Sequence, residues 1–515
     1  MQKARAARER NRTYRAVVHL ASNQVVPLAD LTLPEVTPAG DGRYAAGFDD
    51  RAYRPMVEYD TSYSDAYIVD TQTGARTLFQ RKLRGGGGGG GGQGFGGGPV
   101  QWSPNGRHAV FFDGKDWNAV SAVSGVVTNL TAKLGVNFFN ELSDVPATPG
   151  SYGIGGWSRD GAWVLIHDRH DVWQIAPDGS KALNLTDGEG RKQNVQFRAV
   201  RVENDPDEPG IDAAKPLLLR AEHLKTRDSG FFRDSLNGAA VPQRLLMGAA
   251  NYSNPSKAKN ANVYLLTAST FSDFPDLRVT DDTFRDLRKI TDANPQQKGF
   301  LWGKSELIDF RNTDGVGLQA MLVKPEDFDP KKKYPLIVYI YERLSDGVHN
   351  FSAPRPGHSV LPSFYASRGY LVLMPDIVYT TGYPGQSAMK CVLPAIQRVV
   401  DGGFVDEKAI GIQGHSWGGY QISYMVTQTT RFRAAAAGAP VIPCGCSQRT
   451  GTVRRSLRGM FAEIEKEYPH LRETMLAAMG NLQPERLLDP KFLPLDGPGA
   501  AAGEPAALFP IVTDL

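Results

Sequence analysis

The feature that most restricts the fold of this chain is a short glycine-rich stretch at residues 411–420, with the sequence GIQGHSWGGY. An apolar strand pattern over 405–413 precedes it, and a helical pattern with one apolar face follows over 417–427. A G-x-S-x-G motif between a strand and a helix is typical of a nucleophile elbow, a tight turn that exposes its serine at the edge of a sheet. The pattern therefore predicts that Ser416 is a catalytic nucleophile.

Two glycines of the motif, Gly414 and Gly418, leave room that a side chain at either position would close. The chain contains 55 glycines, so the five-residue motif also occurs by chance, in a turn of purely structural meaning. The strand before the motif and the helix after it favour the catalytic interpretation.

The length and composition of the chain restrict its class. A chain of 515 residues is too long for one ordinary core, so two or more domains are expected. The apolar content of 41% and charged content of 22% are typical of globular proteins. The net charge of +3 gives no reason to expect a nucleic-acid or membrane partner, and no apolar run approaches the roughly 18 residues of a membrane span.

The N-terminus is basic but has no apolar signal core, so the chain as encoded is expected in the cytoplasm. A periplasmic or secreted location would follow if the true N-terminus is missing. The three cysteines are too few for a disulfide framework, and the spacing of Cys444 and Cys446 does not suit a zinc site. We expect unpaired thiols and neither metal nor cofactor. The oligomeric state is not indicated.

A loose repeat runs from about residue 40 to residue 300. One copy extends from W-S-P-N-G at 102–106 to T-N-L-T at 128–131, and the next from W-S-R-D-G at 157–161 to N-L-T at 184–186. Short strands joined by Asp-Gly and Asn-Gly turns, with an aromatic residue in each unit, predict the antiparallel blades of a β-propeller. A β-sandwich with coincidental turns is the alternative.

A glycine run at 85–98 interrupts the repeat. A phosphate-binding loop would need a lysine after its last glycine and a helix behind it. Here residues 99–102 lead into a strand instead. The run is therefore interpreted as a flexible insertion between blade strands.

The pattern changes near residue 300. A predicted hairpin at 301–310 and 316–323 opens a region in which continuously apolar runs alternate with helical patterns such as 387–400. The apolar runs lie at 335–341, 370–374, 409–412 and 434–437. Buried strands that alternate with helices predict a parallel sheet covered on both faces. The fold class is thus multidomain, β followed by α/β, with a propeller domain at 1–300 and an α/β domain at 301–441.

A serine hydroxyl needs a histidine as base, a carboxylate that orients this histidine, and donors for the oxyanion. The backbone N–H of Trp417 comes with the elbow as one donor. The second is expected from the loop that follows an earlier strand, at 340–345.

Residues 406–420 resemble the prolyl oligopeptidase family of serine peptidases, and so does the strand 334–341. The resemblance implies an N-terminal β-propeller followed by an α/β-hydrolase domain, and hydrolysis of short peptides through an acyl-enzyme on Ser416. It also implies an oxyanion tyrosine, which is assigned to Tyr341, with Tyr339 as the alternative. The resemblance covers roughly 300–441 well and the propeller loosely.

The family pattern places an aspartate and then a histidine after the serine. Of the nine histidines only His470 follows Ser416, in a polar helical pattern that breaks at a proline. Asp496 follows a short apolar run, although Pro494 inside this run argues against a central strand. The triad Asp and His are therefore not identified, and Asp496 and His470 are the candidates.

From residue 442 onward the composition shifts to arginine, glycine, alanine and proline, which predicts a divergent, partly disordered segment at 442–515. One hypothesis is that the gene or reading frame is interrupted near Val441, so that the end of the hydrolase domain is missing. The start of the propeller could be missing too, and the number of blades is left open. Weak or absent activity is expected from such a chain.

Two alternatives to a peptidase are kept. One is a serine esterase with the same elbow, and the other is a propeller protein that binds a partner and carries a degenerate hydrolase. An exopeptidase would need carboxylates for the amine of its substrate. Glu203, Glu208 and Glu222 lie in the right half of the chain, but their spacing is that of ordinary surface carboxylates.

Overall fold

The computed structural model describes residues 10–85, 99–202, 208–355, 357 and 359–438. The predicted glycine-rich insertion lies outside these ranges except for Gly85, and so does the predicted divergent segment after 441. The domain boundaries placed at 300 and 441 remain predictions.

In the described part before residue 300, five four-stranded antiparallel sheets follow one another, and each pairs its strands in sequence order. A hairpin of β1 (Ala16–His19) and β2 (Gln24–Pro27) precedes them. The first two sheets contain β3 (Glu35–Pro38), β4 (Tyr44–Asp49), β5 (Tyr63–Asp70) and β6 (Arg76–Arg84), then β7 (Gln101–Trp102), β8 (His108–Phe112), β9 (Trp117–Ser121) and β10 (Val127–Asn129).

The third sheet contains β11 (Ile154–Trp157), β12 (Val164–His167), β13 (Val172–Ile175) and β14 (Ala182–Asn184). After helix α1 (Glu189–Gln193), the last two sheets contain β15 (Val195–Val200), β16 (Leu217–His223), β17 (Ser229–Asp234) and β18 (Gln243–Gly248), then β19 (Asn251–Lys257), β20 (Val263–Ser269), β21 (Asp276–Asp281) and β22 (Arg288–Lys289). Four-stranded units in series are the arrangement that the repeat predicts.

The repeated turns have a packing role. Gly106 and Gly161, the last residues of the two W-S-x-x-G motifs, adopt φ of 65° and 71°, a region that favours glycine. A β-carbon on Gly106 would lie 2.2 Å from a carboxylate oxygen of Asp41, and one on Gly161 would lie 2.5 Å from the amide of Asn105. The turns at 102–106 and 157–161 therefore each contact the equivalent turn of the unit before.

Neighbouring sheets also share aromatic contacts. Phe111 in the second sheet packs against Phe79 in the first, with ring centroids 5.3 Å apart, and Phe231 in the fourth packs against Phe284, which precedes β22, at 5.5 Å. Phe111, Phe231 and Phe284 are almost fully buried. Burial of each such ring stabilises the fold by about 1.5–3 kcal/mol, so the cores lie between the sheets.

After residue 300 the structure forms a six-stranded mixed sheet with the order β23-β24-β26-β25-β27-β28. Its strands are β23 (Lys304–Arg311), β24 (Gly317–Lys324), β25 (Tyr334–Tyr339), β26 (Leu371–Pro375), β27 (Val405–His415) and β28 (Ala434–Gly438). The first hairpin is antiparallel, and the last four strands of the order run parallel. The parallel sheet inferred from the apolar runs is thus present.

Three helices accompany this sheet in the described ranges: α2 (Pro362–Ala366), α3 (Pro384–Val400) and α4 (Trp417–Gln428). Helix α3 begins three residues before the predicted start at 387, because Pro384 is well suited to the first helical turn. Buried residues of α3 and α4 pack with Leu336, Val338 and Ile412 in one hydrophobic core. No helix in the described ranges has both the length and the apolar content needed to cross a membrane.

Candidate active site

Ser416 occupies the turn between β27 and α4, where its backbone adopts φ 53° and ψ −108°. A residue with a β-carbon is rarely found at positive φ, and such strain is concentrated at functional sites. The backbone N–H of Ser416 donates to the carbonyl of Gly438 at 2.7 Å, and its carbonyl accepts from Tyr420 at 3.0 Å. The side chain is exposed. The turn is therefore held firmly at both ends while it presents the hydroxyl to solvent.

The two glycines of the motif allow the elbow to pack against the chain that follows β25. A β-carbon on Gly418 would lie 2.4 Å from the carbonyl oxygen of Ile340, and one on Gly414 would lie 3.0 Å from the same oxygen. The distance of 2.4 Å is shorter than real β-carbon contacts, and the distance of 3.0 Å is tighter than most of them. This close approach places Tyr341, the next residue after Ile340, beside the elbow.

Tyr341 is supported by two side chains that the sequence did not identify. The hydroxyl of Tyr379 donates to the carbonyl of Tyr341, and the amide of Gln421 donates to the same carbonyl at 3.4 Å and to the Tyr379 hydroxyl at 2.7 Å. Gln421 is fully buried. Burial raises the pKa of Tyr379, so its hydroxyl remains a neutral donor. The Tyr341 carbonyl is thereby fixed by two hydrogen bonds, while Tyr341 itself is 36% exposed.

Trp417 begins α4, and the N–H groups of a first helical turn have no partner within the helix. Its ring stacks on Tyr420 with centroids 5.9 Å apart and meets the ring of Tyr379 edge to face at 5.9 Å. The backbone donor of Trp417 and the Tyr379 network are therefore packed together.

A buried carboxylate organises the chain just beyond Tyr341. Asp376 follows β26 and accepts hydrogen bonds from the backbone N–H groups of Leu344 and Ser345 at 2.8 and 2.9 Å, and from the Ser345 hydroxyl at 2.7 Å. Its two oxygens thus have three donors, so this buried carboxyl group has the hydrogen-bond partners that burial requires. Asp376 therefore has a positioning role.

One carboxylate from the N-terminal sheets also reaches the site. Asp144, in the loop after β10, accepts a hydrogen bond from the backbone N–H of Tyr379 at 2.9 Å. Because Tyr379 contacts both Tyr341 and Trp417, this bond connects the N-terminal sheets directly to the elbow network.

Of the residues predicted from the sequence, Ser416, Tyr341 and Trp417 lie in one neighbourhood. Tyr339, the alternative to Tyr341, is buried, and its hydroxyl donates to Ser359 at 3.2 Å. His470 and Asp496 lie outside the described residues. Among the described residues no histidine hydrogen-bonds the Ser416 hydroxyl, and the ring of His349 instead contacts the carbonyl of Thr226 at 3.2 Å.

Of the three glutamates considered for an exopeptidase, two lie in the described ranges, and each of these is close to an arginine. Glu208 forms a bidentate pair with Arg159, with a nitrogen–oxygen distance of 2.7 Å for one of its bonds. Glu222 lies 3.9 Å from Arg220, and burial raises its pKa. Glu203 lies outside the described residues.

The sequence carried a signal for some of the residues that were missed. Asp376 and Tyr379 follow the strand 370–374, and the carboxyl ends of parallel strands meet at one edge of a sheet. Gln421 lies four residues after Trp417, on the same face of a helix. Nothing in the sequence around Asp144 indicated its contact.

Comparisons with known proteins agree with this geometry. The model of the prolyl oligopeptidase family matches residues 358–448. Dipeptidyl peptidase 8 of Mus musculus is 32% identical over 149 residues, which make up 26% of this chain and 17% of that protein. The chain thus covers less than a fifth of the length of this relative.

The crystal structure of dipeptidyl peptidase 4 from Porphyromonas gingivalis superposes on 82% of this chain and 64% of its own, with a TM-score of 0.56 and 13% identity. At this identity the likeness concerns the fold alone. It confirms the predicted fold class, a β-propeller followed by an α/β-hydrolase domain.

A shorter likeness is to a protein of another class. The tRNA-cytidine(32) 2-sulfurtransferase of Sinorhizobium fredii is 44% identical over 60 residues, which make up 12% of this chain and 20% of that enzyme. This match covers a segment and not the body of the enzyme.

Proposed function

Because residues 358–448 match the model of the prolyl oligopeptidase family, we propose that the protein is a serine peptidase that cleaves short peptides through an acyl-enzyme on Ser416. The observation that carries the proposal is the exposed serine at φ 53° between β27 and α4. A strained turn of this kind is retained where it presents a nucleophile. In the acylation step the serine oxygen attacks the scissile carbonyl, and the amine leaves with a proton.

Tyr341 and Trp417 are the proposed oxyanion donors, through the tyrosine hydroxyl and the tryptophan backbone N–H. A donor that is fixed before the reaction stabilises the charge that develops on the carbonyl oxygen. Loss of one such donor lowers the rate by about 10²–10³-fold. The support of Tyr341 by Tyr379 and Gln421 favours its assignment over Tyr339, whose hydroxyl contacts Ser359.

The general base is the catalytic group with the weakest candidates in this sequence. His470 is the single histidine after Ser416, and Asp496 is the best-placed aspartate. We propose that any base of this chain comes from these later residues. A serine without its histidine keeps only the contributions of the oxyanion donors and of substrate binding. A binding protein with an impaired hydrolase is the alternative.

The first test is covalent labelling of the folded protein with a fluorophosphonate. We expect one label per chain, on Ser416, and loss of the label in Ser416→Ala. Ser423→Ala on the same helix is the matched control and should label like the unchanged protein. Absence of labelling in the folded, unchanged protein would favour the binding protein over the peptidase.

A second measurement separates peptidase from esterase. We expect the labelled serine to cleave an aminoacyl-p-nitroanilide, with Ser416→Ala inactive on the same substrate. Cleavage of a plain p-nitrophenyl ester with no action on the anilide would instead identify an esterase.

A further inference from the structure

A cavity of about 210 Å³ lies between the N-terminal sheets and the six-stranded sheet. It is smaller than the roughly 300–1,000 Å³ of a pocket that encloses a whole small-molecule ligand. The side chains that matter for its chemistry are Tyr152, Arg169 and Arg227 from the first region and Leu318, Arg343 and Asp376 from the second. It has room for one end or one side chain of a peptide.

Arginine charge dominates the cavity wall. Within the described residues, the guanidinium groups of Arg169 and Arg343 form no hydrogen bond and have no carboxylate within 4 Å, and the Nε of Arg169 is buried without a partner. Arg227 is paired with Asp346 at 2.8 Å, yet its own Nε also lacks a partner. A buried guanidinium nitrogen without an acceptor is unfavourable, so this half-buried group of arginines is suited to an anion.

Among the described residues, the carboxylate of Asp376 in the wall has no ion pair with these arginines within 4 Å. Asp376 already accepts three hydrogen bonds from Leu344 and Ser345. The other nearby carboxylates are also engaged, since Asp346 pairs with Arg227 and Glu222 lies 3.9 Å from Arg220.

A further arginine lies behind the wall. Arg198 donates to the carbonyls of Phe197 at 2.7 Å and Arg169 at 3.4 Å, and its guanidinium lies 5.5 Å from the centre of the Tyr152 ring. Burial lowers its pKa to about 10, so it is still charged at neutral pH. It fixes the backbone of Arg169 and adds positive potential to the cavity.

The cavity adjoins the candidate active site through the chain itself. Arg343 is two residues after Tyr341, and Asp376 is three residues before Tyr379, whose hydroxyl holds the Tyr341 carbonyl. Leu142 in the wall is two residues from Asp144, which holds the backbone of Tyr379. The same segments therefore build the cavity and support the proposed oxyanion tyrosine.

We propose that this cavity binds a carboxylate of the peptide substrate, through Arg343 and Arg169, while the scissile bond lies at Ser416. The proposal names the substrate class of the proposed peptidase and rests on that function. The carboxylate comes from the free C-terminus of a short peptide or from an acidic side chain. Both present the same planar anion, to which a guanidinium can donate two parallel hydrogen bonds.

The test measures binding by the full-length Ser416→Ala protein, in which no acylation takes place. Four fluorescent peptides of one length are compared by fluorescence anisotropy: a free acid and its C-terminal amide, and two amides that carry glutamate or glutamine at the same position. We expect at least one carboxylate peptide to bind about tenfold more tightly than its neutral match, because a charge-assisted pair is lost in the neutral one. Discrimination by the first pair identifies the C-terminus, and discrimination by the second identifies an acidic side chain.

The variant Arg343→Gln in the Ser416→Ala protein should remove this preference, and Arg169→Gln should reduce it. Arg398→Gln, on the exposed face of α3, is the matched control and should retain it. Circular dichroism establishes that each variant is folded, and two independent arginine variants keep the test informative if one of them is not. Equal affinity for acid and neutral peptides, binding of none of the four, or a preference that survives both arginine variants would overturn the proposal.

The two proposals fail in different ways. Fluorophosphonate labelling of the unchanged protein reports on Ser416, and anisotropy with Ser416→Ala reports on the cavity. A carboxylate preference without labelling would support the carboxylate-binding cavity and contradict the peptidase. Labelling without a carboxylate preference would support the peptidase and contradict the carboxylate-binding cavity.

Discussion

At Gly418 the elbow helix comes into contact with the chain that follows β25. Gly418 lies in α4, where alanine would ordinarily be favoured over glycine by about 1 kcal/mol. Its missing β-carbon, however, is what permits the approach to the carbonyl of Ile340. The same approach brings Tyr341 next to Ser416. The absence of a side chain at Gly418 therefore helps to set the distance between the nucleophile and the proposed oxyanion donor.

We therefore predict that Gly418→Ala destabilises the protein by about 1–3 kcal/mol, as overpacking does in other cores. The clash is with a backbone oxygen and not with the flexible end of a side chain, so it outweighs the gain in helix propensity. Urea unfolding at neutral pH measures the difference. Gly299→Ala, where a β-carbon would meet nothing within 4 Å, serves as the control. Unchanged or increased stability of Gly418→Ala would show that the elbow can move away from Ile340.

For single residues, the sequence was informative about function where the residue lies in a motif with a clear structural context. Ser416 and its two glycines were singled out because the strand pattern before the motif and the helical pattern after it favour a sharp turn over a chance occurrence. Asp144 could not be identified, since a surface aspartate in a loop has the same appearance whether or not it accepts a distant backbone N–H. The base remained unassigned for a related reason, because neither Pro469 before His470 nor Pro494 before Asp496 indicates a loop at the end of a sheet strand.

At the scale of elements, three pieces converge on Tyr379: the segment after β25, the segment after β26 and helix α4. The Tyr379 hydroxyl lies between the Tyr341 carbonyl and the amide of Gln421. The element pattern of this half was largely predictable, since buried strands and helices alternate with clear apolar periods. The side-chain bonds between the elements were not, because they depend on which strand ends become neighbours.

We predict that Tyr379→Phe lowers the free energy of unfolding at neutral pH by about 1 kcal/mol and slows labelling of Ser416. Because burial raises the pKa of Tyr379, the folded state holds the hydroxyl proton more tightly than the unfolded chain does. The stabilisation by Tyr379 is thus fully present below the unfolded tyrosine pKa of about 10 and is lost as the pH rises above it.

Urea unfolding at pH 7 and at pH values above 10 checks this expectation. The unchanged protein should lose more stability over that range than Tyr379→Phe. Tyr383→Phe, at an exposed position before α3, is the control for general alkaline effects. An identical pH dependence of the unchanged protein and Tyr379→Phe would contradict a buried, neutral hydroxyl at this site.

At the scale of the whole molecule, the N-terminal sheets and the six-stranded sheet meet through an aromatic group. Phe351 packs against Phe274 at 5.2 Å and stacks on Trp302 at 5.1 Å, and the indole N–H of Trp302 donates to the carbonyl of Phe271 at 3.0 Å. The architecture of two successive regions was predictable from the change of pattern near residue 300. Their contact surface was not, because it is formed by loop residues that follow no period.

We predict that Phe351→Ala lowers the free energy of unfolding by about 1–3 kcal/mol, since it removes two aromatic pairs worth about 0.5–1.5 kcal/mol each. The near-ultraviolet circular dichroism signal of Trp302 should weaken at the same time. Phe300→Ala, whose ring is 68% exposed, is the control. A variant as stable as the unchanged protein would mean that the two regions are held together elsewhere.

The contacts between successive turns also bear on how such a chain could have lengthened. The side chain that occupies the space beside Gly161 belongs to Asn105, one unit earlier, and the one beside Gly106 belongs to Asp41. The unit at 102–106 thus has both features: Asn105 fills the space beside the glycine of the next unit, and Gly106 leaves space for Asp41 of the unit before it. A tandem duplication of such a unit would reproduce both sides of this turn-to-turn contact at once. Growth by head-to-tail copying therefore requires no new interface to evolve.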